Sequence, residues 1–276
     1  MAIIDLKSYL VKFKIKTSFI KELILNLKPI CSEIIMNISK ESITLINLDP
    51  SHICLPHINL DSHDCIQYQV NPQKFENRTS FVIKFEIDNL YTILNSIKIR
   101  KQRYDKKKHI KEKGKNESIS FIVFEKQINI YNENTTRIIY IQLCEIDLID
   151  ITSLQNMKFK NNFTLKIKDF KESIQSTLCI NEILEFVNKN NKSIVIKTQN
   201  ELACYQEILQ ITDQIITKPF NCTYSLTFLH SIFSHTSIKT CTFHIHNDSP
   251  LKIYIPYGIN SYYVIFLAPR VEEDNY

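Results

Sequence analysis

Apolar residues return at three- and four-residue spacings in four places along the chain, with short strand-like runs between them. Phe19, Ile20, Leu23, Ile24 and Leu27 predict an amphipathic helix over 17–28, stopped by Pro29. Thr17 or Ser18 is expected to cap its first N–H groups. Lys21 and Lys28, one heptad apart, fall on its polar side. Strands are predicted at 33–38 and 42–48, separated by Ser39-Lys40-Glu41. Asp88 is expected to cap a second helix carrying Leu90, Ile93, Leu94 and Ile97. Runs at 119–124, 128–131 and 137–143 read as further strands.

The order then recurs. Phe170, Ile174 and Leu178 predict a helix over 169–178, and strands at 182–187 and 193–197 flank an Asn-rich turn. A last helix over 224–234, with Leu226, Leu229 and Phe233, precedes strands at 242–246, 251–255 and 262–267. Residue identity between the halves is weak. The shared order nevertheless reads as two copies of one α+β unit, each with two helices on one face of an antiparallel sheet. The expected division is residues 1–144, an inter-domain connector at 145–161, and residues 162–276. That connector is acidic (Glu145, Asp147, Asp150) and then polar. Its isolated Leu154 and Met157 fit either cover for a core edge or the lining of a docking groove.

Composition narrows the functional classes. The 276 residues are 44% hydrophobic with 16 Phe and 13 Tyr, which is enough to bury a core. The only glycines are Gly114 and Gly258, which excludes glycine-rich dinucleotide and phosphate loops. Eight scattered cysteines without a Cys-x-x-Cys pair suggest mostly buried thiols in a reducing compartment. Neither a secretory leader nor a membrane-spanning stretch is recognised, so the protein is expected to stay inside the cell. Residues 98–115 hold ten Lys or Arg against Asp105 and Glu112, a local net of +8, which leaves −3 for the rest of a chain whose total is +5. A basic insert on a mildly acidic body is not the pattern of a general nucleic-acid coat.

Three segments are more specific. Leu267-Ala268-Pro269-Arg270-Val271-Glu272-Glu273 resembles the near-C-terminal motif of the proliferating cell nuclear antigen family of DNA sliding clamps. Asp49-Pro50-Ser51-His52-Ile53 resembles that family's aspartate-serine-serine-histidine-valine loop, and Ser249-Pro250-Leu251-Lys252-Ile253 the start of its penultimate strand. They match in order and at comparable spacing, so the resemblance covers nearly the whole chain as a divergent member. It implies an α+β clamp fold and a homotrimeric ring around double-stranded DNA without sequence preference. Ring closure would pair an edge at 137–143 with one at 205–211 of the next subunit. DNA polymerase, clamp loader and other replication or repair proteins would bind through a clamp-binding peptide carrying a glutamine and two aromatics. The setting would be the nucleus, or a viral replication compartment.

Carried over residue by residue, the peptide pocket should comprise Leu48, His52, Ile53, Pro250, Phe266, Ala268 and Pro269, with Leu154 or Met157 from the connector. Phe266 stands where the family commonly has tyrosine. DNA-facing candidates are Lys21, Lys28 and Lys171, with Lys98, Arg100, Lys101 and Arg103 of the insert; His230 and His235 would add little charge at pH 7. The insert also fits a solvated loop or an import signal. His52, Cys54, His57, His63 and Cys65 match no common zinc spacing, and no catalytic residue, cofactor or metal is expected. The alternatives within the same fold are a subunit of a heterotrimeric checkpoint-type clamp, or a viral clamp acting as monomer or dimer.

Overall fold

The computed structural model describes residues 8–96, 118–132, 149–188, 193–247 and 249–270. The first half runs β1 (Val11–Lys16), α1 (Thr17–Leu27), β2 (Glu33–Ser39), β3 (Ser42–Ile46), β4 (Cys54–Asp61), β5 (Gln67–Val70), β6 (Ser80–Glu86), α2 (Ile87–Ser96), β7 (Ser118–Val123) and β8 (Ile128–Asn132). After the short α3 (Thr152–Gln155) come β9 (Asn161–Lys166), α4 (Ile167–Thr177), β10 (Ile183–Asn188), β11 (Ser193–Gln199), β12 (Cys204–Gln210) and β13 (Thr212–Ile216). The chain continues with β14 (Phe220–Ser225), α5 (Leu226–Phe233), β15 (Thr240–Ile245), β16 (Leu251–Pro256) and β17 (Tyr262–Leu267). The duplication is explicit at this level: β1-α1-β2-β3 corresponds to β9-α4-β10-β11, and β6-α2-β7-β8 to β14-α5-β15-β16.

The sheets are more numerous than expected. Each half builds a four-stranded sheet, β5-β1-β7-β8 and β12-β11-β10-β14. Between them a nine-stranded sheet, β13-β9-β15-β16-β17-β4-β3-β2-β6, runs through both halves. Its continuity rests on the antiparallel pair β17–β4, where Phe266 lies opposite Leu55 and Leu267 opposite Cys54. The C-terminal strand is therefore the seam of the molecule.

Among the described residues four of the five α-helices form a layer, with α1 against α2, α4 against α5, and α1 against α5. Strand alternation decides what this layer covers. Tyr263, Ile265 and Leu267 of β17 enter the large core shared with Leu23 and Ile24 of α1 and Phe170 of α4. In the second half that core is an aromatic stack in which Phe170 meets Phe243 edge to face at 5.2 Å.

The expected helix caps are absent for a common reason. Strands run straight into helices, so no polar loop residue sits at the start. Lys16 occupies the cap position of α1 without a side-chain bond, and Thr17 is 1% exposed, turned into the core. Helix α2 begins at Ile87, before Asp88. The Ile87, Ile167 and Leu226 N–H groups donate instead to the carbonyls of Ser32, Lys239 and Glu182. Tyr224, expected in the last helix, is a buried strand residue.

The halves also meet through polar contacts beside α1. Asn26 Nδ2 donates to Thr236 Oγ1 at 3.0 Å, inside the structure. The Glu22 carboxylate accepts from Ser237 N at 2.9 Å and from the Tyr257 hydroxyl at 3.1 Å. Cys31, Cys54, Cys222 and Cys241 are buried as expected of apolar thiols, but Cys179 and Cys204 are exposed. Among the described residues no helix is long and apolar enough to cross a membrane. The predicted strand at 137–143, the basic insert at 98–115 and connector residues 145–148 lie outside the described residues.

Candidate partner-docking site

On the face of the nine-stranded sheet away from the helices, the opposite alternation builds a second, smaller apolar cluster. Its buried members are Ile35, Ile46, Leu55, Val264 and Phe266. Registration places them in rows: Ile35 opposite Ile46, Ile46 opposite His57, His57 opposite Val264, and Leu55 opposite Phe266. Leu48, Ile151, Leu154, Phe159, Tyr254 and Tyr262 pack around this floor, half-buried. A sheet face carrying this much apolar surface needs a cover. Part of it comes from the connector.

That cover is a single helical turn. The Asp150 carboxylate accepts from Thr152 N at 2.9 Å and Thr152 Oγ1 at 2.6 Å, satisfying the start of α3. Gln155 N closes the turn on Ile151 O at 2.9 Å. Leu154 is thereby set against the cluster, while Met157 is half-buried and is not among the residues packed on it.

The wall opposite is the loop between β3 and β4. Asp49 is 2% exposed and acts as its anchor. Its carboxylate accepts from Ser51 N at 2.9 Å, from the Ser51 hydroxyl, from Ile53 N at 2.6 Å and from Cys54 N at 2.5 Å. Asp49 N–H in turn donates to Cys54 O at 2.9 Å. Closing so tight a loop forces His52 to φ 60°, the left-handed region that a β-carbon disfavours. His52 is exposed at the tip, and Ile53 packs on the main core rather than on the outer cluster. The tail then clips onto the loop, with Ala268 N donating to Ile53 O at 2.8 Å. Arg270 N donates to Thr223 O at 2.8 Å, and Thr223 Oγ1 to Arg270 O at 2.7 Å. Ala268 and Pro269 are half-buried, as is Pro250 at the start of β16. Pro269 also borders a depression of about 700 Å3 shared with Asn181, Glu185, Lys197 and Arg270.

Leu48, Leu154 and Phe266 are thus drawn into one cluster. The floor residues Ile35, Ile46, Leu55 and Val264 escaped the sequence reading, although the alternation Tyr262-Val264-Phe266 carried the signal for one of them.

The histidines of this face are held neutral. Burial, and then the Lys252 ammonium, lower the pKa of His57. The same causes push His244 down to about 4, so both imidazoles are neutral at pH 7. His244 lies 5.7 Å from the Phe159 ring. Among the described residues no group of three or more His, Cys, Asp or Glu is arranged to hold a metal ion.

The basic candidates sit on the helical layer, away from this site. Lys28 is engaged by Asp88 at 2.8 Å and lies 3.9 Å over the Tyr91 ring. Lys171 donates to the Ser234 and Thr236 carbonyls at 3.0 and 3.4 Å, tying α4 to the end of α5. Lys21 is half-buried, His230 half-buried and His235 exposed. Lys98, Arg100, Lys101 and Arg103 lie outside the described residues.

The chain thus consists of two similar halves, each with a pair of helices packed on antiparallel sheet. No protein-family model and no curated protein matches the sequence. Among solved structures, the chain is similar to the proliferating cellular nuclear antigen of Entamoeba histolytica, with a TM-score of 0.76 at 13% identity, covering 95% of this chain and all of that one. At that identity the likeness establishes the fold.

Proposed function

We propose that this protein is a DNA polymerase processivity factor, a sliding clamp that encircles duplex DNA as a homotrimer and docks replication and repair enzymes on its outer face. The observation that carries the reading is the outer apolar cluster. It lies across the β17–β4 seam, under the connector turn and between the Asp49 loop and the C-terminal tail. An apolar surface of aliphatic and aromatic side chains suits an aromatic plug, because such an anchor excludes water from the contact.

The assembly part of the reading draws on sheet edges. Strand β12 is the outer strand of its sheet, with Ile208 58% exposed. An uncovered strand edge of this kind invites pairing with another chain. DNA would be held topologically, so the helical layer needs only loose, register-free attraction to phosphate. Lys28 and Lys171, already engaged within the chain, would contribute field rather than dedicated phosphate contacts.

The test is retention on DNA of two topologies. A clamp loaded on a closed circle should stay bound at high salt and be lost when the circle is cut, and its mass in solution should be near three times 32.5 kDa. A stable monomer that neither stimulates a polymerase nor distinguishes the circle from the cut form would refute the proposal.

A further inference from the structure

Lys252 breaks the pattern of the outer face. Strand alternation directs it to the same side as the apolar cluster, in a row that reads His244, Lys252, Phe266 and Leu55 across β15, β16, β17 and β4. Its ammonium is 5.9 Å from the Phe266 ring centre, and the residue is half-buried. Two other half-buried lysines on the sheets have carboxylates: Lys84 meets Glu33 at 2.8 Å and Lys197 meets Glu185 at 3.9 Å. Among the described residues Lys252 has no such partner. Its row neighbours are a neutral histidine and a phenylalanine, and burial lowers its own pKa. A half-buried cation beside an apolar cluster, with no carboxylate to compensate it, is suited to receive one.

We infer that Lys252 is the receptor for a carboxylate on the docked peptide, so that this pocket prefers acidic partners to neutral ones. The inference rests on the docking reading above and adds a specificity to it. The ammonium offers up to three donors at the margin of the pocket, 5.9 Å from the ring of Phe266. A glutamate or aspartate flanking the peptide's aromatic pair would meet it as the aromatics enter. The surrounding apolar surface would shield that pair from salt more than an exposed pair is shielded. Duplex DNA is the other polyanion at hand, but the lysine lies on the face opposite the helical layer and among side chains suited to an aromatic plug.

The experiment uses the full chain and a synthetic peptide carrying a glutamine and two aromatics, made neutral and then with a single glutamate moved through the flanking positions. Calorimetry should find at least one glutamate position that binds about five-fold tighter than the neutral peptide. The ratio of acidic to neutral peptide affinity, measured within each variant, should fall to one in Lys252→Met and persist in Lys252→Arg. If the neutral peptide binds but no glutamate gains through Lys252, the inference falls and the docking reading stands. If neither peptide binds, both fall together. Lys252-dependent displacement of the acidic peptide by a short DNA duplex would assign the lysine to phosphate and overturn the inference.

Discussion

Replacing Asp49 by alanine should dismantle one wall of the docking site while leaving both helical pairs folded. The side chain is 2% exposed and its carboxylate serves four donors, two of them the Ile53 and Cys54 N–H groups where β4 begins. Water can reach the exposed Ser51 once the carboxylate is gone, so its donors are cheap to lose. The Cys54 N–H cannot be rescued so easily, because that residue is 0% exposed, and Ile53 is packed on the main core. A buried donor left unpaired costs about 1–3 kcal/mol, so two would cost about 2–6 kcal/mol if the loop stayed in place. Part of this is recovered when the loop relaxes, because His52 can then leave its left-handed conformation at φ 60°, a relief worth about 1 kcal/mol. The net expectation is therefore a loss of about 1–5 kcal/mol.

Urea denaturation measures that loss directly, and peptide binding to the folded variant measures the wall. Asp49→Asn should fall between wild type and alanine, since it keeps one acceptor oxygen. If Asp49→Ala unfolds within about 0.5 kcal/mol of wild type, the range of an ordinary surface change, the carboxylate is not the anchor. The account of the loop would then be wrong.

Three further perturbations test separate parts of the structure. Gly258 lies in the β16–β17 turn, and a β-carbon there would stand 2.4 Å from the Asp64 carboxyl carbon. That carboxylate holds the Ile259, Asn260 and Ser261 N–H groups at 2.9, 2.9 and 2.7 Å, so Gly258→Ala should cost about 1–3 kcal/mol in denaturation; a neutral result would mean Asp64 is dispensable. The lowered pKa of His244 makes stability depend on pH: the unfolded chain takes a proton near 6.5 and the folded one near 4. Stability should be full above about pH 6.5 and fall as the pH drops toward 4, and His244→Gln should flatten that slope in thermal melts; an unchanged slope would refute the assignment. Finally, Glu22→Ala removes the acceptor shared by Ser237 and Tyr257 and should cost about 1 kcal/mol, read by denaturation; no loss would mean the contact between α1 and the second half is incidental.

The parts of the fold that were legible in the sequence are those where local pattern and tertiary role agree. The helix at 17–28, the paired strands after it and their echo in the second half carry apolar residues at unambiguous periods, and the structure places them within a residue or two. Strands such as β1, with Phe13 and Ile15 between lysines, alternate just as clearly, yet their pairing is long-range. Val11 to Lys16 must find both β5 and β7 before the alternation means anything. Caps failed for a different reason: Thr17 is turned into the core, and at the starts of α2, α4 and α5 the carbonyl of a residue just before a neighbouring strand accepts the first helix N–H. The site divides along the same line. Phe266, Leu48 and Leu154 came from the resemblance and meet in one cluster. Ile35 and Ile46 share that floor only because the central sheet crosses the seam between the halves, which no local window contains. Lys252 is the sharpest instance: in sequence it is one lysine in a strand, unremarkable among 34 basic residues. Only the register that sets it beside Phe266, and the absence of a facing carboxylate among the described residues, make it a candidate determinant of which partners dock.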